Sequence, residues 1–144
     1  MPFVIQATLE GDRELIEKLK RLESLPRETA FVSAMEATMA PLESEMIARI
    51  PGSYEKLRAS IGTEVRHYRQ SGVTLGMTGP TWPAGWNGHL VERGAAHRRT
   101  QKGHYRGSVE PHPFVEPTYQ ANKDTLEQRL AGELRNVIER RASG

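Results

Sequence analysis

The chain has 144 residues, of which 37% are hydrophobic and 26% charged, enough for one domain with a modest core and too apolar for a disordered chain. A formal net charge of only +2, despite a pI of about 9.1, excludes a polycation that wraps nucleic acid over its whole surface, so any basic effect must be local. The absence of cysteine excludes disulfides and thiolate metal sites and fits a reducing compartment.

The N-terminus lacks the basic start and long apolar core of a signal peptide, and no apolar run is long enough to cross a bilayer, so we expect a chain that is soluble where it is made. Residues 3–9, F-V-I-Q-A-T-L, suit a short strand, which Gly11 ends. Asp12 can cap a helix in which Leu15, Ile16, Leu19 and Leu22 form the apolar stripe, ending near Ser24. Pro26 suits the first turn of a second helix that buries Ala30, Phe31, Ala34, Thr38, Leu42, Met46 and Ile50. Pro41 falls inside it, so a kink or two abutting helices are expected there, and Pro51-Gly52 stops it.

The pattern then changes. Residues 57–68, L-R-A-S-I-G-T-E-V-R-H-Y, alternate loosely, and V-T-L-G-M-T follows Ser71-Gly72, which reads as two antiparallel strands joined by a turn. Residues 89–92 are a third candidate strand. Before them, in W-P-A-G-W-N-G, Trp82 and Trp86 either cap the core, the commoner use of Trp, or face outward. Residues 95–113 show no apolar periodicity and read as a long polar loop, of a length that points to function or disorder. Residues 119–142 form a final helix with the stripe Leu126, Leu130, Leu134, Val137 and Ile138. The whole is one α+β domain over residues 1–144: a small antiparallel sheet packed with two N-terminal helices and a long C-terminal helix, with the polar loop before the last helix.

Candidate chemistry concentrates around H-L-V-E-R-G, residues 89–94. Glu92 is the only acid beside the loop until Glu110. A catalytic role would need a base, an acid or nucleophile, and a holding group within hydrogen-bond range; a structural hydrogen bond or an ion pair is the stronger reading. His97, His104 and His112 match no short zinc spacing, and neither a phosphate-binding loop nor a dinucleotide fingerprint is present, so no metal and no cofactor is expected. The basic cluster Arg98, Arg99, Lys102 and Arg106, with Tyr105 among them, could touch the phosphates of a DNA path, touch a neighbouring subunit, or be solvated. In P-H-P-F-V-E-P, the prolines Pro111, Pro113 and Pro117 read as a stiff arm that places Phe114 and Val115, either on the chain's own sheet or on another subunit.

Taken in order, E-L-I-E-K-L-K-R-L, a second helix closing at I-P-G, L-R-A-S-I, H-L-V-E-R-G, H-P-F-V-E-P-T-Y and a terminal helix resemble the minor tail component family of long-tailed double-stranded DNA phages. This family is also called neck or tail completion proteins, with lambda's minor tail protein Z a distant relation. P-x-x-x-x-x-L-R-x-S-I, V-E-x-G and P-F-x-x-P together carry the likeness, whereas the family's usual T-G-x-L turn is replaced here by Gly52-Ser53-Tyr54-Glu55-Lys56-Leu57. The resemblance implies a virion structural protein without catalysis, acting where tail meets head beside other neck and tail proteins. On that basis we expect a homo-oligomeric ring around or near packaged double-stranded DNA. The competing expectation is a stand-alone, sequence-independent nucleic-acid-binding module.

Overall fold

The computed structural model describes residues 4–9, 27–96, 98–105 and 107–142. The helix expected over 12–24 lies outside these residues. Strand β1 spans Ile5–Leu9, as the apolar opening run suggested. Helix α1 follows over Arg27–Arg49 and buries every residue assigned to its inner face, with Met35 and Met39 in addition. The one polar member, Thr38, donates its hydroxyl to the Ala34 carbonyl at 2.7 Å, so its burial leaves nothing unpaired.

Pro41 does not divide this helix, which continues as one element rather than two abutting ones. The carbonyl that proline cannot address is that of Ala37, and both residues lie on the exposed side, where the carbonyl is open to solvent and its lost bond costs less than it would in the core. Beyond Pro51, residues 57–60 are not strand as expected but the end of a short helix α2, Glu55–Ser60. Leu57, Ser60 and Ile61 are buried. Their i, i+3, i+4 spacing is helical, and the apparent alternation was the weaker signal.

Strands β2, Ile61–Tyr68, and β3, Val73–Pro80, form the expected hairpin. The sheet is antiparallel in the order β1-β3-β2, with Ile5 opposite Thr78 and Tyr68 opposite Val73. On the face toward α1, β3 presents Thr74, Gly76 and Thr78. A Cβ at Gly76 would sit 2.7 Å from Met35 Cγ, so the glycine is what lets helix and sheet approach. Hydroxyls complete the seam. Thr63 donates to Glu43 at 2.9 Å and pairs with Thr78 at 3.0 Å, and His67 Nδ1 meets Thr74 Oγ1 at 2.8 Å.

The third strand of the sheet is therefore β1. Residues 89–92, expected as a strand, belong instead to helix α3, Gly88–Arg93. The C-terminal helix is also divided, into α4, Val115–Asn122, and α5, Leu126–Ala142. α5 packs along α1 and buries Leu130 and Leu134, as its stripe predicts. At the break, the Asn122 amide donates to Glu45 at 3.0 Å while its oxygen accepts from Arg129 at 2.7 Å. Arg129 in turn reaches the Thr38 carbonyl at 3.0 Å, tying α1, α4 and α5 together.

Candidate functional site

The residues singled out in the sequence fall into three places: a joint around Glu92, a projecting finger, and an aromatic groove. At the joint, Glu92 is buried on α3 and its carboxylate accepts three backbone N–H bonds. Phe114 and Val115 donate to Oε2 at 2.7 and 2.9 Å, and Glu116 donates to Oε1 at 3.0 Å. These are the opening amides of α4, which have no acceptor within their own helix, and a negative charge there also opposes the positive end of the helix dipole.

Two backbone features complete the joint. The His112 amide donates to the Val91 carbonyl at 2.7 Å. Gly94 turns the chain with φ of 71°, and a Cβ on it would lie 2.8 Å from the Val109 carbonyl oxygen. V-E-R-G and P-H-P-F-V-E-P are thus two halves of one clamp. Phe114 and Val115 are buried in the chain's own core, so the arm is pinned within the subunit. Only Pro111 and Pro113 stiffen it, since Pro117 sits in the first turn of α4, where a missing N–H costs nothing.

With both oxygens engaged by amides, Glu92 is a poor general base. Among the described residues no group of three His, Cys, Asp or Glu could hold a metal. His104 is exposed at the finger, while His112 packs toward Tyr54 with ring centroids 6.4 Å apart; His97 lies outside the described residues.

The segment expected as a structureless loop is a paired finger over residues 95–109. Ala95 and Val109 exchange amide bonds of 2.9 and 2.7 Å, Arg98 donates to Gly107 at 2.9 Å, and Thr100 donates to His104 at 2.9 Å. Arg99 and Tyr105 pair across it, which puts their side chains on one face and turns the half-buried Arg98 to the other. Arg99, Lys102 and Tyr105 are exposed; Arg106 lies outside the described residues. The cluster is therefore a two-faced ribbon rather than a single patch.

Trp82 and Trp86 are 82% and 57% exposed, which corrects the expectation that they cap the core. Their segment is held from beneath. The Thr81 amide and hydroxyl both donate to the Ser60 carbonyl, at 2.9 and 2.6 Å, and Gly85 and Gly88 press so close to Pro80 that an added Cβ would sit 2.7 and 2.8 Å from it. Facing the Trp segment is the side of the sheet turned away from α1, where Met77 lies beside the ion-paired Glu64 and Arg66. The hydrogen bond that Arg66 donates to Glu64, followed by its bond with Tyr68, holds the Arg66 guanidinium further toward its protonated form. The result is a groove of about 910 Å³. The sequence hinted at it only through glycine and proline packed around two tryptophans.

A family model described as "Bacteriophage HK97-gp10, putative tail-component" matches residues 13–94, more than half of the chain. The chain belongs to this family. Membership in the HK97-gp10-like tail components bears out the resemblance read from the sequence at the level of a phage tail protein. The match takes in α1, α2, the β2–β3 hairpin and α3 and ends at Gly94, so β1, the finger, the arm and the C-terminal helices lie outside it. A search of the curated proteins finds no match, and a search of the solved structures finds none either. No helix among the described residues is long and apolar enough to cross a membrane.

Proposed function

We propose that this tail component is a structural subunit of the virion that completes the tail and joins it to the head, in the manner of lambda's minor tail protein Z. Copies assemble as a ring at the neck, around or near the DNA path. The observation that carries this reading is the finger: an ordered, hydrogen-bonded projection with basic side chains and no acid between Glu92 and Glu110. Cyclic symmetry would repeat that projection around a channel, so that a few cations per chain sum to a substantial positive field. We read the chain as non-catalytic, because the one buried carboxylate of its singled-out region is occupied in capping a helix.

The test is a stop codon early in the gene of the phage that carries it. Filled heads and unattached tails should accumulate, and adding the purified chain should restore joined particles. Joined, infectious virions without the chain would refute the proposal.

The second reading, a stand-alone nucleic-acid-binding module, draws on Arg99 and Tyr105 sharing one face, a cation for phosphate beside a ring for stacking. It requires the isolated chain to bind DNA with an affinity that falls steeply as salt rises. The structural reading expects little binding by the isolated subunit.

A further inference from the structure

We propose that the finger of one copy seats in the aromatic groove of a second copy, and that this contact is what propagates the ring. The proposal rests on the ring reading above for the identity of the occupant, and it assigns the two surfaces that meet.

The groove has the chemistry to receive the finger. Trp82 and Trp86 are large apolar rings left in the open on a segment that backbone bonds and glycine–proline packing hold in place. Exposed aromatic surface on a fixed platform marks a contact site more often than a solvated face. Indole is the best of the aromatic faces for a cation, and the finger offers two exposed cations, Arg99 and Lys102, with Tyr105 beside them. Glu64, which lines the groove with Oε1 bound to Arg66, has its second oxygen left to accept from an arriving cation.

Charge also favours a second copy as occupant. Residues 95–109 contain Arg98, Arg99, Lys102 and Arg106 and no acid, a formal +4 within a chain of net +2, so the rest of the chain is net −2. A basic finger is thus attracted to the acidic remainder of another copy.

The placement supplies the geometry. Gly88 and His89, at the start of α3, border the groove, and Gly94, just past its end, opens the finger. Tab and slot are therefore different surfaces flanking one helix of six residues, about 9 Å long. A contact between unlike surfaces is heterologous, the kind that generates a ring where the rotation between copies closes.

The absence of cysteine permits a clean test on the full chain. Ala84→Cys, beside the tryptophans, and Gln101→Cys, near the fingertip, are both exposed positions that leave Trp82, Trp86, Arg99 and Lys102 intact. The two variants are purified separately, mixed and oxidised. The expected product is a mixed disulfide dimer in clear excess over either self-paired dimer. Its yield should drop about tenfold when Trp82→Ala and Trp86→Ala are added to the first variant, or Arg99→Glu and Lys102→Glu to the second, with circular dichroism showing each still folded.

Sedimentation of the unmodified chain separates the ways of failing. Oligomers without the mixed disulfide would overturn the groove assignment and leave the ring standing, whereas a monomer without it would overturn both. Tight, salt-sensitive binding of a short DNA duplex to the finger, with no mixed disulfide, would give the finger to nucleic acid and also overturn the proposal.

Discussion

Glu92 shows how one side chain can look catalytic and be structural. Its carboxylate takes three amides from residues 22 to 24 positions along the chain, a relation that no local periodicity encodes. The residues around Glu92 favoured a structural role, as a hydrogen bond or an ion pair with Arg93 or a neighbouring chain, and the structure selects the hydrogen bond, with the α4 amides as partners. Glu92→Gln keeps the shape and turns an amide N–H toward donors, so it should destabilise the fold by about 2–3 kcal/mol in a denaturant titration. A catalytic role would instead leave stability nearly unchanged. Phe114, with no exposed surface, should cost about 3–5 kcal/mol on change to alanine. Unaltered unfolding together with failed assembly would move that ring to an interface. Gly94→Ala should cost about 1–3 kcal/mol, because its positive φ is strained for any side chain and the methyl would press on the Val109 carbonyl.

At the scale of elements, legibility followed length and position. α1 was readable because its inner face repeats over 23 residues; Met35 and Met39 were missed because sheet and α5 together bury a wider stripe than one partner would. α3 was misread because six residues are too few for periodicity to separate helix from strand. The break before α5 has no proline or glycine to announce it; the contacts of Asn122 with Glu45 and Arg129, distant in sequence, hold it. The finger hid for a related reason, since its pairing runs through backbone bonds and its side chains carry no β-strand alternation. Two predictions belong here. Pro41→Ala should stabilise the fold, by up to about 3 kcal/mol, since it restores a helix bond on an exposed turn; a lower melting temperature would show that proline fits that turn without strain. Changing Arg98, Arg99, Lys102 and Arg106 together to Gln should leave thermal melting and circular dichroism near those of the parent while abolishing joining of heads to tails in the add-back experiment. If joining persists, the finger has no part in assembly.

The whole molecule is an acidic body bearing a basic finger, locked in place at a clamp of buried glutamate and helix amides. The family match covers α1, α2, the β2–β3 hairpin and α3 and stops where the finger begins. That division suits a subunit whose matched segment belongs to a shared tail-component scaffold and whose finger serves contacts particular to its own assembly. The most direct test of this account is a reconstruction of the neck of the assembled particle by electron cryomicroscopy. The account predicts several copies of this chain in a closed ring between head and tail, each finger extending from its own subunit toward the next. A neck resolved to side-chain detail that contains no copy of the chain, or a single one, would contradict it.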